Sequence, residues 1–360
     1  MKKLCFFCGS LNSSGGTERV STIIGNKLSD KYEVFFLSLC CGDNPYFELN
    51  DNIKVDYLFE HKVSFIKNIF PAILKLRRYV KENNIDVLIN VESLLCLFSV
   101  PALTFLDVKN ICWEHFNFKV NLGLKSRTIA RHLATRFCDD IIVLTERDRE
   151  MWLENTYHKS NISVVNNPSS CLISNVEKNN NKLLLSVGRL SYQKGYDLLL
   201  EAWRIVILTR KDWRLKIIGN GEDYHKLKKI ITDYQLEDSV ELIEETKDIE
   251  TYYLSSSLYV MSSRFEGFPM VLLEASSYGL PMISFDCNTG PSEIITEDCG
   301  WLCQPNDYIK LSKCMLKAFN ECDDNEKYNN LSLSAYENSK RFCIKNIIED
   351  WNYILGRYEQ

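Results

Sequence analysis

What the chain lacks narrows its chemistry first. Its 360 residues contain no Asp-x-Asp, no G-x-G-x-x-G and no phosphate-binding loop that ends in Gly-Lys-Ser/Thr. A dehydrogenase built on the dinucleotide fingerprint and a P-loop NTPase are therefore disfavoured. Glycine and proline are sparse, at 15 and 8 residues, and no tract is repetitive or compositionally biased, which excludes collagen-like, solenoid and disordered chains. Long apolar runs are also missing. The longest uncharged one, Ser93 to Leu106, has 14 residues and contains Pro101, short of a membrane span. After Met1-Lys2-Lys3 only five apolar residues precede Gly9-Ser10, too few for a signal-peptide core. A strong excess of either charge is absent as well. Basic residues number 43 and acidic ones 48, for a formal charge of −5, which argues against a dedicated nucleic-acid binder.

The 14 cysteines amount to too low a density in so long a chain for a disulfide scaffold. Cys5 and Cys8 form a CxxC, but they lie in Lys3-Leu4-Cys5-Phe6-Phe7-Cys8, which reads as a buried strand. No second Cys/His pair follows at zinc-site spacing. So many free thiols suit a reducing compartment, and the expected location is cytoplasmic.

A hydrophobic fraction of 45% and a charged fraction of 25% describe a globular protein, and the length implies at least two domains. Residues 1–170 carry 21 basic and 19 acidic side chains, whereas residues 171–360 carry 22 and 29. Short β-rich runs alternate with helical patterns from end to end, the signature of βαβ units and parallel sheets. Strands are expected at Lys3–Cys8, Glu33–Ser38, Lys54–Leu58, Ile85–Val91, Lys109–Cys112 and Ile141–Leu144. After a polar interruption at Cys171–Lys182 they resume at Leu183–Val187, Leu215–Gly219, Val240–Ile243, Leu258–Ser262 and Met282–Asp286. The expected organisation is an N-terminal Rossmann-like domain over 1–172, a linker over 173–182 and a second Rossmann-like domain over 183–340. A C-terminal helix over 341–360 is expected to pack back toward the first domain. Ligands of open α/β sheets bind at the carboxyl ends of the strands, so the loops there carry the functional expectation.

Three such loops suit an anionic ligand. Gly9 to Thr17 is a glycine-bearing turn in which Gly15 and Gly16 let backbone approach a ligand at a helix N-terminus; taken alone it is equally a tight strand–helix turn. Gly188-Arg189-Leu190-Ser191-Tyr192-Gln193-Lys194-Gly195 places two cations between a strand and a helix, where Arg189 and Lys194 could converge on a diphosphate. Ser263 to Ala275 holds Glu266 in a loop and Glu274 in the following helix, with Pro269 suited to the first turn. Leu272, Leu273 and Ala275 flank Glu274, so its carboxylate should be partly buried and in need of hydrogen-bond partners, which sugar or ribose hydroxyls could supply.

Together, Glu266-x7-Glu274, the Gly188-Arg189…Lys194-Gly195 loop, the Gly219-Asn220-Gly221 turn, Gly15-Gly16-Thr17-Glu18-Arg19 and Gly279-Leu280-Pro281 resemble a family 4 glycosyltransferase. The resemblance spans nearly the whole chain and is strongest from Leu183 to Leu302. It implies an α/β architecture of the GT-B type, two Rossmann-like domains facing across a cleft, and retaining transfer of a sugar from a nucleotide sugar in surface polysaccharide synthesis. In that reading Arg189 and Lys194 neutralise the donor diphosphate, Glu266 contacts the transferred sugar and Glu274 holds the ribose. Backbone around Gly267, Phe268, Met270 and Val271 binds sugar and phosphate, and Gly15 and Gly16 approach the diphosphate. His115, in Trp113-Glu114-His115-Phe116, lies near the reacting sugar, and Glu293 is a further pocket residue. With no Asp-x-Asp, cations and a helix N-terminus would take the place of a metal, so no cofactor is expected. UDP is the nucleotide that family habit implies, although Glu244-Glu245-Thr246-Lys247 stands where the family commonly has a glycine.

Two N-terminal segments bear on the acceptor. Lys62 to Lys81 has six basic residues and Phe116 to Cys138 has five, both without an acid and interleaved with apolar residues. Such stretches suit an anionic membrane surface, and equally describe helices with a solvated face. A glycan or polyprenyl-diphosphate-linked acceptor and peripheral attachment to the inner leaflet are the expectation. Two other readings compete. A glycoside hydrolase could use Glu266 and Glu274 but has no need of the basic Gly188–Gly195 loop. A non-catalytic nucleotide-sugar-binding subunit would share every motif.

Overall fold

The structure, a computed structural model, describes residues 1–42, 44–63, 68–169 and 180–358. It divides into two compact units, one made of Met1–Pro168 with Ile344–Gln360 and the other of Ser169–Cys343. Most of the expected linker, residues 173–179, lies outside the described residues. At its end, Asn180 donates to the Cys322 carbonyl (2.6 Å) and Lys182 pairs with Asp212 (2.8 Å).

The first unit runs β1 (Lys3–Cys8), α1 (Gly16–Leu28), β2 (Glu33–Cys40), β3 (Lys54–Phe59), α2 (Ile69–Asn83), β4 (Val87–Val91), α3 (Cys96–Leu103), β5 (Lys109–Trp113), α4 (Lys125–Phe137), β6 (Asp140–Val143), α5 (Glu146–Asn155) and β7 (Asn161–Val164), and a C-terminal helix, Ile344–Gly356, completes it. Its seven strands are all parallel, in the order β3-β2-β1-β4-β5-β6-β7. Helices cover both faces of such a sheet, and so the central strands read as continuous apolar runs; Leu4 to Phe7 and Val87 to Ile89 are all buried. Cys5 and Cys8 belong to this core, where burial pushes both thiols up, away from the reactive thiolate. The C-terminal helix contributes Trp351, fully buried and edge-on to Trp113 with ring centroids 4.8 Å apart.

The second unit runs β8 (Leu183–Val187), α6 (Tyr196–Val206), β9 (Arg214–Ile218), α7 (Tyr224–Asp233), β10 (Val240–Ile243), α8 (Ile249–Ser255), β11 (Leu258–Met261), α9 (Met270–Ser277), β12 (Met282–Phe285), α10 (Pro291–Ile294), β13 (Gly300–Cys303), α11 (Tyr308–Cys322) and α12 (Asn325–Ser339). Six parallel strands lie in the order β10-β9-β8-β11-β12-β13. Trp213 stacks face to face on Phe319 at 3.8 Å in a core that includes Trp203, Leu215, Ile217, Val260 and Ile283.

In both sheets the first strand of the unit lies beside the fourth, so the chain reverses its direction of winding between β1 and β4 and again between β8 and β11. Crevices for ligands open at such switch points, beyond the carboxyl ends of the two strands. The sequence pattern anticipated these strands but not β7 or β13. Both lie at a sheet edge and begin with a poor strand former, Asn161 or Gly300. No helix among the described residues is long and apolar enough to cross a membrane.

Candidate functional site

At the switch point of the second unit, Lys194 follows β8 and Glu266 follows β11. Their side chains meet there, Lys194 Nζ donating to Glu266 Oε1 at 2.7 Å, with the carboxylate 8% and the lysine 19% exposed. Several contacts hold the two loops together. Arg264 N donates to the Gln193 carbonyl (2.8 Å), Gln193 Nε2 to the Phe265 carbonyl (3.1 Å) and Ser262 Oγ to the Lys194 carbonyl (2.9 Å). Arg264 makes a two-pronged pair with Asp197, at 2.9 and 2.8 Å, beneath the ring of Tyr192. Gly195, at φ +65°, sits so close that an added Cβ would lie 2.2 Å from the Ser262 carbonyl oxygen. Only glycine fits there, and the close approach is what brings Lys194 to Glu266.

A third loop, after β12, closes on the same place. Thr289 Oγ1 donates to the Glu266 carbonyl (2.6 Å), and Gly290, at φ +97°, packs against Pro269 and Gly267. Pro269 precedes α9 as its cap, and the first N–H groups of that helix, including those of Met270 and Val271, have no acceptor within the helix. Glu274, half-buried on α9, accepts a hydrogen bond from the Tyr253 hydroxyl at 2.9 Å. Tyr253 is itself stacked on Tyr278. Glu293 is half-buried in the first turn of α10.

Two expected site residues are placed differently from their neighbours. Arg189 does not join Lys194: it is 74% exposed and paired with Glu222 at 3.2 Å, an ion pair in solvent. Phe268 is 4% exposed, its ring packed edge-on to Phe342, so its side chain serves the core and only its backbone faces the loop. Asp197, Arg264, Thr289 and Tyr253, which organise the site, carried no signal in the sequence, because nothing in a single sequence marks a residue whose partner is remote along the chain.

In the first unit the loop after β1 leads into α1 through Gly15, the helix cap, and Gly16, beside which an added Cβ would meet nothing within 4 Å. Glu18 folds back over this turn and accepts from Ser13 Oγ at 2.8 Å. His115 follows β5. Its ring lies 4.4 Å from that of Trp113, and its Nε2 is buried with no hydrogen-bond partner among the described residues. Burial lowers its pKa to about 4, against an opposing pull from Glu114, so the imidazole is neutral at pH 7.

Beneath His115 lies a buried charge network. Glu114 is wholly buried: Oε1 accepts the backbone N–H groups of His115 and Phe116 at 3.0 and 3.1 Å, and Oε2 accepts from Ser93 Oγ and from Arg131 Nε. Arg131 also donates to the carbonyls of Asn117, Phe118 and Val120. Asp148 secures the loop from α5, accepting from Phe118 N at 2.7 Å and from Trp152 Nε1 at 3.1 Å. This corrects the reading of Phe116–Cys138 as a basic surface: Arg127 and Arg131, two of its five cations, are buried to hold the His115 loop. Of the other basic segment, Ser64–Lys67 lies outside the described residues. On α2 that follows it, Phe70 and Leu74 are exposed beside Lys75, Arg78 and Lys81.

Residues 14–169 match the family model described as Glycosyltransferase Family 4, and residues 173–338 match that described as Glycosyl transferases group 1. The chain is 37% identical over 358 residues to an uncharacterized glycosyltransferase of Haemophilus influenzae, covering 99% of this chain and all of that one. It is 32% identical to the amylovoran biosynthesis glycosyltransferase AmsD of Erwinia amylovora, again over 99% of this chain and all of the relative. Among solved structures, S. aureus TarM in complex with UDP superposes with a TM-score of 0.82 at 16% identity over the whole of both chains. The outer core galactosyltransferase WaaB superposes with a TM-score of 0.79 at 22% identity over 99% of each. These neighbours share the GT-B fold, two parallel-sheet Rossmann-like domains. The chain belongs to glycosyltransferase family 4 and is a glycosyltransferase.

Proposed function

We propose that the protein moves a hexose or N-acetylhexosamine from a nucleotide sugar, UDP-linked, to a glycan or polyprenyl-diphosphate-linked acceptor in surface polysaccharide assembly, with retention of configuration and without a metal. The contact of Lys194 with Glu266 at the β8/β11 switch point carries the reading. A lysine and a carboxylate held together in a nearly closed crevice can divide the work of glycosyl transfer. The ammonium offsets negative charge that develops on the departing diphosphate, and the carboxylate accepts hydroxyl protons of a sugar that gains oxocarbenium character. The unsatisfied N–H groups at the start of α9 add partial positive charge to the same crevice. Glu274, oriented by Tyr253, is then placed to receive ribose hydroxyls, and Arg189 can swing from its exposed pairing with Glu222 toward a bound diphosphate.

Relatives and neighbours support the polysaccharide setting and the UDP-linked donor. AmsD acts in amylovoran biosynthesis, and the chain is 26% identical to a lipopolysaccharide 1,6-galactosyltransferase of Escherichia coli over 85% of its length. TarM and Anabaena HepE have been solved with UDP, and HepE also with UDP and glucose. The protein works in the cytoplasm, and the exposed Phe70 and Leu74 with their lysine and arginine neighbours on α2 rest on the anionic inner leaflet. The test is transfer of labelled sugar from UDP-glucose, UDP-galactose and UDP-N-acetylglucosamine with and without EDTA. Transfer that survives the chelator and is abolished in folded Lys194→Ala and Glu266→Ala supports the proposal; a strict requirement for added divalent metal overturns its metal-free mechanism.

A further inference from the structure

The switch point of the first unit holds a carboxylate to which no role has been given. Glu92 is the first residue beyond β4, next to the loop that follows β1 and to the end of β5. Its backbone sits at φ +116°, ψ 136°, a conformation that a residue with a Cβ rarely adopts, and its N–H is fastened to the Trp113 carbonyl at 2.8 Å. Strain of this kind persists only where surrounding structure enforces it. The effect is to bring the Glu92 carboxylate to Arg127, which also faces Glu114, the first residue beyond the neighbouring strand.

Its partner is Arg127 of α4. Arg127 is 3% exposed, lies with its guanidinium 4.5 Å from the ring of Phe116, and donates from Nη2 to Glu92 at 3.1 Å. Its Nη1 is 3.7 Å from Glu114, beyond hydrogen-bond reach, and both Nε and Nη1 lack a partner among the described residues. Arg131, by contrast, is saturated. Glu114 thus takes four hydrogen bonds on its two oxygens, whereas Glu92, among the described residues, takes one, from Arg127. The side chain of Glu92 is 23% exposed and that of Glu114 is closed off entirely, so Glu92 is the member that meets solvent. At the carboxyl end of the adjacent strand His115 Nε2 is also without a partner among the described residues. Burial outweighs the pull of Arg127 and raises the carboxyl of Glu92 to about 7, so that at neutral pH it can accept or share a proton.

We propose that Glu92, positioned by Arg127, binds the acceptor by taking a hydrogen bond from one of its hydroxyl groups. This rests on the proposed transfer from a UDP-sugar to a glycan or lipid-linked acceptor. A carboxylate that is partly desolvated and clamped on one side by a guanidinium keeps an oxygen lone pair for a hydroxyl donor and discriminates against an acceptor that lacks it.

The test uses UDP-[14C]glucose, UDP-[14C]galactose and UDP-N-acetyl[14C]glucosamine as donors and crude membranes of the producing cells as acceptor, with the full-length protein. Glu92→Gln is expected to lower incorporation tenfold or more at limiting membrane. The donor concentration for half-maximal rate should stay within twofold, and the thermal shift given by UDP should be unchanged. Glu92→Asp, which keeps the charge but withdraws it by one methylene, should fall between the two and decides the matter if Glu92→Gln does not fold. Wild-type incorporation by the variant overturns the assignment, and so does a loss matched by a weakened UDP shift, which would mark Glu92 as merely structural. No incorporation by the wild-type protein, despite a UDP shift, removes the proposed acceptor class and this assignment with it.

Discussion

The two units share a strand order and a switch point but build their sites by opposite means. In the second, the crevice is made of backbone brought close: Gly195 against Ser262 and Gly290 against Pro269 and Gly267 leave no room for a side chain, and Lys194 and Glu266 meet because their loops touch. In the first, long side chains do the work. Arg127 and Arg131 reach from α4 to Glu92, Glu114 and the carbonyls of the His115 loop. Backbone contact specifies one geometry and tolerates little change. A lattice of buried charges holds a loop just as firmly, but it is adjustable at any member that still meets water. Under the proposed function, that contrast suits a donor whose diphosphate is constant and an acceptor whose hydroxyls must be matched.

Substitutions can break this contrast from either side. The largest effect is expected from Arg131→Ala, which strands the Glu114 carboxylate without its buried partner; such losses cost about 3–5 kcal/mol. Hydrogen exchange should report the opening of the first unit's amides while those of the second stay protected. Lys194→Ala should do the reverse in function: transfer falls by about 10²–10³, equivalent to ~3–4 kcal/mol, with a smaller loss in the melting curve than Arg131→Ala shows. Gly195→Ala comes next. A methyl group 2.2 Å from the Ser262 carbonyl in a left-handed conformation must displace the loop, at a cost of about 1–3 kcal/mol in urea unfolding, together with weakened UDP binding.

The smallest effect is a pH dependence. The folded state holds His115 near pKa 4, below the ordinary value of 6.5, so its neutral form contributes stability that is present above pH 6.5 and is lost as pH falls through 4. Glu92 and Asp148, raised to about 7, act in the opposite sense, contributing stability at low pH that is lost as pH rises through 7. A comparison with His115→Asn cancels the two carboxyl groups. The difference in unfolding midpoint between wild type and variant should shrink from pH 7 to pH 4.5; a constant difference would show that the imidazole is not held neutral by burial.

The same contrast explains what could be read in advance. Sites made by backbone approach leave glycines and short-range spacing behind, so Gly188 to Gly195 and Glu266-x7-Glu274 were visible as a pair of loops after strands. The central strands were visible for a related reason, since burial on both faces makes them continuous apolar runs. Arg264 and Asp197 were not visible, because their pairing spans 67 positions and neither has a distinctive neighbour. Glu92 carries no signal in the sequence, and Arg127 and Arg131 read as part of a basic stretch because the carboxylates that bury them lie 35 and 17 positions away. Arg189 shows the converse: it lies in the expected loop but points to solvent and Glu222.

The central claim is that Lys194, held against Glu266, forms the donor site of the second unit. Isothermal titration of UDP-glucose, UDP-galactose and UDP-N-acetylglucosamine into the wild-type protein and Lys194→Ala tests it most directly. At least one of these donors should bind the wild type, and its affinity should fall tenfold or more in the variant, which remains folded at the temperature of the titration. Equal affinity for the two proteins would contradict the account.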